Sequence, residues 1–347
     1  TVELGGRDFR IPAGMRLQRA AGPPLVLRPI CADLDQDGNL YVADSCGSNA
    51  NVQEQLRDRP HRILRLSDSD EDGVYDRSTV FADRMMFPEG VLCHRGSVYV
   101  AAPPQSWKLT DTNGDGTADE RSVWFDGKTL TGCANDLHGP YAGQDGWIYW
   151  CKGASAEQSY QRADGSTWTT RASHIFRRRA SGGLVEAVMI GGMDNPVDVE
   201  FTRSGERIFT TTFLQHPAGG QRDGLIHAVY GGVYGKRTSA IDGHPRTGEL
   251  MPVLSHLGPA APCGLTRIEG DAMGVEYADN LVSCAFNLPQ VFRHELTADG
   301  ATFVSRDSPF RTSADLDFHP TDVLQDADGS VVVIDTGGWY KLCCPTS

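Results

Sequence analysis

Short runs of alternating apolar and polar residues, separated by glycine-containing turns, recur along the whole chain. An early run consists of Asp35-Gln36-Asp37-Gly38 followed by Leu40-Tyr41-Val42-Ala43-Asp44, and similar phrases return at residues 143–150 and 326–335. An Asp-Gly turn next to a β-rich run is a strong hairpin signal. We find no apolar stripe with the 3.6-residue period of an amphipathic helix. The pattern therefore predicts an all-β protein built from one repeated unit.

The repeats divide the chain into six units. The first residues of the inner strands are expected near Pro29, Phe87, Asn135, Asn195, Pro262 and His319. Spacings of roughly 50–65 residues fit four-stranded propeller blades with insertions. The sequence therefore predicts a six-bladed β-propeller as a single domain over residues 1–347, with a lead-in at 1–28 and six repeat units at 29–347. The last unit has room for only two strands, so residues 10–27 are expected to add an outer strand that closes the ring. A β-sandwich would explain the alternation but not the six-fold recurrence.

The charge of the chain limits its partners. The formal net charge is −13, which argues against nucleic acid because phosphate binding requires a basic face. No apolar run approaches the roughly 18–20 residues that a membrane-spanning helix needs. Because the chain begins with Thr1 rather than Met, we expect that an upstream segment, such as a signal peptide, is removed.

Six of the nine cysteines form pairs with matched spacing around the repeats. The pairs are Cys31 with Cys46, Cys133 with Cys151, and Cys263 with Cys284. Facing residues of antiparallel strands can have Cα atoms about 4.5–5.5 Å apart, a distance that a disulfide bridges. The spacing favours three disulfides and an oxidising, extracytoplasmic compartment over six buried thiols. For the remaining Cys93, Cys343 and Cys344, either the adjacent pair is bridged or one of the two reaches Cys93.

Two acidic loops share one spacing of oxygen-bearing side chains around a glycine. The candidate metal ligands are Asp68, Asp70, Asp72 and Asp76 in the first loop and Asp111, Asn113, Asp115 and Asp119 in the second. This pattern suits calcium, and it resembles the calcium loops of integrin-type propellers. An acidic turn without metal is the alternative interpretation. A third loop, Asp33 to Gly38, is a weaker match because a strand follows it directly. Any such site is expected to be structural.

Polar residues concentrate where the inner strands begin, and in a propeller these positions meet at the mouth of the central channel. The set comprises Arg28, Glu89, Asn135, Asp136, His138, Asp194, Asn195, Asp198, Arg267, His319 and Asp322. His138 is the best candidate for a general base because an imidazole titrates near neutral pH, and Asp136 is expected to orient it. His319 is a second candidate catalytic residue. For both histidines, a purely structural role is the alternative.

Several motifs carry a resemblance to known families. The segments Phe87-Pro88-Glu89-Gly90, Asn135 to Pro140 and Asp335 to Pro345 resemble the membrane-bound dehydrogenase domain of planctomycete-type bacteria, and the likeness covers most of the chain. Residues 135–152 and Met193-Asp194-Asn195-Pro196 are similar to segments of the soluble pyrroloquinoline-quinone (PQQ) sugar dehydrogenases. Asp194 stands where that family has an arginine.

The resemblance implies an extracytoplasmic, quinoprotein-like dehydrogenase that oxidises a sugar or an alcohol and passes a hydride to PQQ. His138 would take the hydroxyl proton. The residues implied to hold the cofactor are Asn135, Asn195, Arg267 and Lys152. The implied partner is a c-type cytochrome domain of the same longer protein, since this chain itself contains no Cys-x-x-Cys-His motif.

Two other classes of function remain open. A non-catalytic propeller that binds carbohydrate or a partner would use its aromatic residues as a sugar platform. The candidates for that platform are Trp107, Trp147, Trp168 and Trp339. A calcium-dependent hydrolase of the lactonase type would hold a metal in the channel with Glu89, Asn135, Asn195 and Asp198, because such a cation polarises an ester.

Overall fold

The computed structural model describes residues 1–133, 136–214 and 221–338. Its elements are almost all β-strands, which confirms the predicted fold class. The chain starts with a hairpin of β1 (Val2–Leu4) and β2 (Arg7–Arg10). A lead-in without strands then reaches the first blade.

The first two blades are four-stranded antiparallel sheets in simple meander order. Blade one contains β3 (Pro29–Leu34), β4 (Leu40–Asp44), β5 (His61–Ser67) and β6 (Arg77–Met85). Helix α1 (Val52–Asp58) lies between β4 and β5. Blade two contains β7 (Gly90–His94), β8 (Ser97–Ala102), β9 (Gln105–Thr110) and β10 (Glu120–Asp126). The two-residue turn between β7 and β8 is formed by Arg95 and Gly96, both at positive φ, which is the geometry that tight hairpins favour.

Blades three and four carry insertions. Blade three contains β11 (His138–Ala142), β12 (Trp147–Lys152), an inserted hairpin of β13 (Gln158–Gln161) and β14 (Thr167–Thr170), then β15 (Ser173–Arg179) and β16 (Gly182–Gly191). Blade four contains β17 (Asn195–Phe201), β18 (Arg207–Thr212), β19 (Asp223–His227) and, after the short strand β20 (Val233–Tyr234) and a 3-10 turn (Ser239–Ile241), β21 (Ser255–Gly258). Strand β20 pairs in parallel with β16 at the edge of blade three.

Blade five contains β22 (Pro262–Arg267), β23 (Leu281–Ala285), β24 (Gln290–Asp299) and β25 (Thr302–Ser313). The last repeat contributes a hairpin of β26 (Pro320–Gln325) and β27 (Val331–Asp335). The prediction of six blades is therefore wrong. The described chain has five blades, and the hairpin β26–β27 lies between blade five and blade one.

The expected closure by residues 10–27 is also wrong. Strand β2 pairs with β25 in blade five, where Phe9 lies opposite Ser313. Phe9 is buried edge-on against Phe318, with ring centroids 5.3 Å apart. This buried apolar contact holds the N-terminal hairpin on blade five. The lead-in covers the last hairpin without forming a strand, because Val26 and Ile334 share one buried cluster.

The three expected disulfides are wrong as well. Free cysteines stand at positions 31, 46, 93, 151, 263 and 284. Cys151 lies opposite His138, not opposite Cys133, and the strand register is interrupted where Cys31 and Cys263 lie. Cys93 is a free thiol, so the expected disulfide between Cys93 and one of the C-terminal cysteines is wrong. Cys343 and Cys344 lie outside the described residues.

The core lies between neighbouring blades and allows the inner strands to approach closely. Fully buried Trp150 of β12 packs against Phe125 of β10, with ring centroids 4.5 Å apart. At the centre, a Cβ atom on Gly90 would lie 2.0 Å from the carbonyl oxygen of Gly139, so only glycine permits β7 to contact β11 there. In the part of the chain that the structure describes, no helix is long and apolar enough to cross a membrane.

Candidate active site

The inner strands bring distant parts of the sequence to one mouth. Neighbours in the ring are β3, β7, β11, β17, β22 and β26, and β26 returns to β3. Glu89 precedes β7, His138 begins β11 and Asn195 begins β17, so three consecutive units each place one polar residue at the same end of the channel. The structure thus brings these three predicted residues together at one end of the channel.

His138 is held between these two neighbours. Its Nε2 atom lies 2.8 Å from Oδ1 of Asn195, and its Nδ1 atom lies 3.5 Å from Oε2 of Glu89. The side chains of His138 and Glu89 are only 11% and 7% exposed. With the Asn195 amide in this orientation, the Nε2–H group donates to Asn195 and the lone pair of Nδ1 faces Glu89.

Burial disfavours the charged forms of both side chains. It lowers the pKa of His138 to about 4, because the imidazolium form loses its hydration. Burial, assisted by the charge of Asp136, raises the pKa of Glu89 well above its usual range. At neutral pH the imidazole is therefore neutral, and burial favours the protonated form of the Glu89 carboxyl group. The Oε2 atom of Glu89 has no hydrogen-bond partner among the described residues.

Asp136 organises the preceding loop and does not hydrogen-bond to the His138 ring. Its carboxylate accepts from the backbone N–H of Thr131 at 2.6 Å, from the Thr131 hydroxyl at 2.8 Å and from the Thr129 hydroxyl at 3.3 Å. The neighbour that faces the free side of the imidazole is thus Glu89. The sequence could not separate these two carboxylates, because the closer one in sequence is not the one across the ring.

Two of the expected cofactor ligands are engaged elsewhere. The ammonium group of Lys152 is buried and donates to the carbonyl oxygens of Gly153, Ala156 and Ala172 at 2.8, 3.0 and 3.0 Å. Arg267 lies at the far end of β22, where it donates to the Phe201 carbonyl and pairs with Asp279 and Glu269. Neither side chain has a free group to offer at the mouth.

His319 precedes β26, and its ring stacks on Phe286 with centroids 4.8 Å apart. Its Nδ1 atom lies 3.1 Å from the Phe286 carbonyl oxygen. These contacts fix the orientation of the ring at the channel entrance. A catalytic role for His319 stays a prediction. Asn135 lies outside the described residues.

Two cations that the sequence did not single out as cofactor ligands lie near the mouth. Lys236 forms an ion pair with Asp194, the residue before Asn195, at 2.8 Å, and the Asp194 side chain is 44% exposed. Arg28, directly before β3, donates to the carbonyl oxygen of Gly338 at 3.0 Å. The negative charge of Asp194 is thereby compensated by a neighbour that is 42 residues away in sequence and was not recognisable from it.

Below the mouth, buried carboxylates join neighbouring inner strands. Asp33, Asp198 and Asp322 accept the backbone N–H groups of Cys93, Leu265 and Ala32, respectively, at 2.8, 2.8 and 2.9 Å. Each bond runs from one inner strand to the next. Asp198 was one of the four metal ligands of the hydrolase interpretation, and its carboxylate already accepts this structural bond.

The aromatic platform of the binding interpretation is partly covered. Trp147 is flanked by the guanidinium groups of Arg177 and Arg179, which lie 4.4 and 4.2 Å from its ring centroid. Trp168 packs against His174 and Tyr160. Trp107 lines a surface cleft, and Trp339 lies outside the described residues.

The two acidic loops differ in their geometry. In the first, oxygen atoms of Asp68, Asp70 and Asp72 lie within 4.8 Å of one another, whereas Asp76 accepts from Ser69. In the second, both carboxylate oxygens of Asp111 accept backbone N–H groups, Asn113 donates to Asp119, and Asp115 accepts from Thr117. Of the two, the first loop has the more convergent oxygen atoms.

Residues 2–343 match the family model described as a domain of unknown function, DUF7133. The chain belongs to the DUF7133 family. No curated protein matches its sequence. The family description assigns no activity.

Several solved structures similar to this DUF7133 domain come from dehydrogenases and a carbohydrate-active enzyme. The PQQ domain of pyranose dehydrogenase from Coprinopsis cinerea is 14% identical, with 96% of each chain covered and a TM-score of 0.67. The calcium structure of an AA12 carbohydrate-active enzyme from Trichoderma reesei is 13% identical over 96% of this chain and 94% of that one, with a TM-score of 0.62. The PQQ-bound aldose sugar dehydrogenase from Streptomyces coelicolor is 14% identical over 87% and 90%, with a TM-score of 0.56. At these identities the likeness establishes a dehydrogenase-like propeller fold and leaves the activity open.

Proposed function

We propose that this DUF7133 domain is the sugar- or alcohol-oxidising domain of an extracytoplasmic, quinoprotein-type dehydrogenase. One observation carries the proposal: the buried Nδ1 atom of His138 and Oε2 atom of Glu89 lie 3.5 Å apart at the channel mouth, and Oε2 has no hydrogen-bond partner among the described residues. That separation is longer than a usual hydrogen bond, and a substrate hydroxyl group that enters the site would supply the partner that the buried Oε2 atom lacks.

His138 acts as the general base in this proposal. The substrate hydroxyl group donates its proton to Nδ1, the nitrogen that carries the lone pair while Nε2–H donates to Asn195. The imidazolium ion that forms has two N–H donors. Oδ1 of Asn195 and Oε2 of Glu89 stand beside them and stabilise the positive charge.

The residues at the mouth fit PQQ, which carries three carboxylate groups. Burial favours the neutral forms of Glu89 and His138, which do not repel an anion, and Asp194 is compensated by Lys236. Lys236 and Arg28 would hold carboxylates of the cofactor. When bound, the quinone supplies the acceptor for the substrate hydride. Arg267 does not belong to this set because it lies at the far end of β22, and Lys152 does not because backbone carbonyl groups use all three of its donors.

The test uses the whole chain reconstituted with PQQ and calcium. We expect sugar- or alcohol-dependent reduction of a dye, and we expect His138→Gln to lower kcat by about 10²–10⁴-fold. The matched control is His256→Gln, the same change at an exposed histidine, which should retain full activity. Absence of turnover together with an unchanged absorption spectrum of PQQ would refute the proposal. Saturable sugar binding without turnover would instead support the carbohydrate-binding interpretation.

Calcium at the first acidic loop and a c-type cytochrome domain as electron acceptor complete the proposal. The convergence of Asp68, Asp70 and Asp72 supports the calcium site, which would stabilise the outer hairpin of blade one. The cytochrome partner and the extracytoplasmic location rest on the family resemblance. Expression of the full-length gene product, followed by fractionation and haem staining, tests both.

A further inference from the structure

An arginine-rich cleft lies between blades one and two, on the face that carries the channel mouth. Its volume is about 520 Å³, and its walls include Arg57, Arg59, Arg84, Arg121 and Trp107. Small-molecule sites commonly have volumes of about 300–1,000 Å³. The cleft is therefore large enough for a ligand of monosaccharide size.

The charges in the cleft are not balanced. Arg57 forms a bidentate pair with Asp58, and Arg121 pairs with Asp83 at 3.1 Å. The side chains of Arg59 and Arg84 pair with no carboxylate among the residues that the structure describes. Two positive charges thus remain in a cleft of a chain whose formal net charge is −13. A local excess opposite in sign to the whole molecule favours an anionic ligand.

The two unpaired arginines occupy backbone positions that suit glycine better. Arg59 follows α1 with φ 47° and ψ 61°, the left-handed conformation of a helix C-cap. Arg84 has φ 53° and lies at the register shift of β6, between the pairs formed by His61 and Ile63. A non-glycine residue in this region costs free energy, and such positions concentrate at ligand sites. The conformation of both residues is thus compatible with a role for the guanidinium groups.

Trp107 contributes an apolar wall. It lies in β9, is half-buried and packs against the core cluster of the first two blades. An aromatic face beside guanidinium groups suits a ligand that combines a ring with an anionic group, because the ring stacks while the arginines form forked hydrogen bonds.

We propose that this cleft binds a monosaccharide-sized oxyanion, that is, a sugar ring carrying a carboxylate or sulfate group, with Arg59 and Arg84 as its charged contacts. Guanidinium groups match the geometry of both kinds of oxyanion. Binding here does not require that the channel mouth be an active site. The proposal therefore stands or falls separately from the dehydrogenase function.

The test is calorimetric titration of the whole chain at constant ionic strength with sodium sulfate, sodium D-glucuronate and neutral D-glucose. We expect saturable binding of at least one of the two anions, and a dissociation constant raised about tenfold or more in the double variant Arg59→Gln/Arg84→Gln. Preference for sulfate identifies a sulfated ligand, and preference for glucuronate identifies a uronic acid. Either preference supports the oxyanion site.

The matched control is Arg95→Gln. Arg95 is also exposed and left-handed, with φ 51°, but it lies in the β7–β8 turn at the other end of the strands. Its replacement should change the dissociation constant less than twofold. Circular dichroism and the unfolding temperature verify that each variant is folded. The proposal is overturned if neither anion binds, if the double variant binds as tightly as the wild type, or if Arg95→Gln weakens binding equally.

Discussion

At the scale of single residues, burial decides which charged side chains can take part in chemistry. Lys152 and Lys236 are both lysines near the channel, yet their environments differ. Burial lowers the pKa of Lys152 to about 8, and its three N–H donors are used by backbone carbonyls. Lys236 forms an ion pair beside Asn195. Lys152 was expected to be a cofactor ligand because it ends the segment 135–152 that resembles the PQQ sugar dehydrogenases. The sequence could not show that the donors of Lys152 are already engaged.

Lys152→Met tests this structural role. Replacement leaves three buried carbonyl groups without a donor, so we expect the free energy of unfolding to fall by roughly 2–4 kcal/mol. The affinity for PQQ, measured by fluorescence titration of the folded variant, should stay unchanged. The control is Lys128→Met, since exposed Lys128 donates to a single carbonyl oxygen, that of Ser159. An effect of Lys152→Met on cofactor affinity without loss of stability would contradict this assignment.

At the scale of elements, the sequence correctly predicted the features whose contacts lie within one short segment. The Asp-Gly turns at residues 37–38 and 328–329 connect antiparallel strands as predicted. Helix α1 was not predicted, because its seven residues are too few to show the apolar period of a helix. A local signal was nevertheless present: Asn51 and Glu54 form a capping box with hydrogen bonds of 3.0 and 3.1 Å.

The first acidic loop, between β5 and β6, should respond to calcium. The nearby carboxylates of Asp72 and Asp68 raise the pKa of Asp70, and a divalent cation would relieve this repulsion. We expect calcium to raise the unfolding temperature by a few degrees relative to excess chelator. Asp70→Asn/Asp72→Asn should abolish that shift, whereas Asp111→Asn/Asp115→Asn reports on the second loop separately. An unfolding temperature that is insensitive to calcium would contradict the prediction that this loop binds calcium.

At the scale of the whole molecule, buried carboxylates join the inner strands around the channel. Burial raises the pKa of Asp33 to about 6 and that of Asp322 to about 7. The pKa of an aspartate in an unfolded chain is about 3.9. Between these values the folded state retains a proton that the unfolded chain has lost. The contribution of such a group to stability therefore decreases as the pH rises from about 4 to about 7.

Asp322→Asn should remove this pH dependence while its amide oxygen still accepts the N–H group of Ala32. We expect the stability of the wild type relative to the variant to fall by roughly 1 kcal/mol or more between pH 5 and pH 8. Urea unfolding at several pH values measures the difference. Asp299→Asn, at an exposed position, should show no such trend. A difference that grows with pH would reverse the sign and contradict the assignment.

The sequence by itself determined the all-β class, the repeated hairpins and the concentration of polar residues at the starts of inner strands, because these follow from local alternation and turn chemistry. Only the tertiary structure decided that the ring has five blades, that Phe9 takes the N-terminal hairpin to blade five, and that Glu89 rather than Asp136 faces His138. It also decided that Cys151 lies opposite His138 and not Cys133. These outcomes depend on register and burial between residues far apart in the chain, and neither quantity is encoded in any one segment.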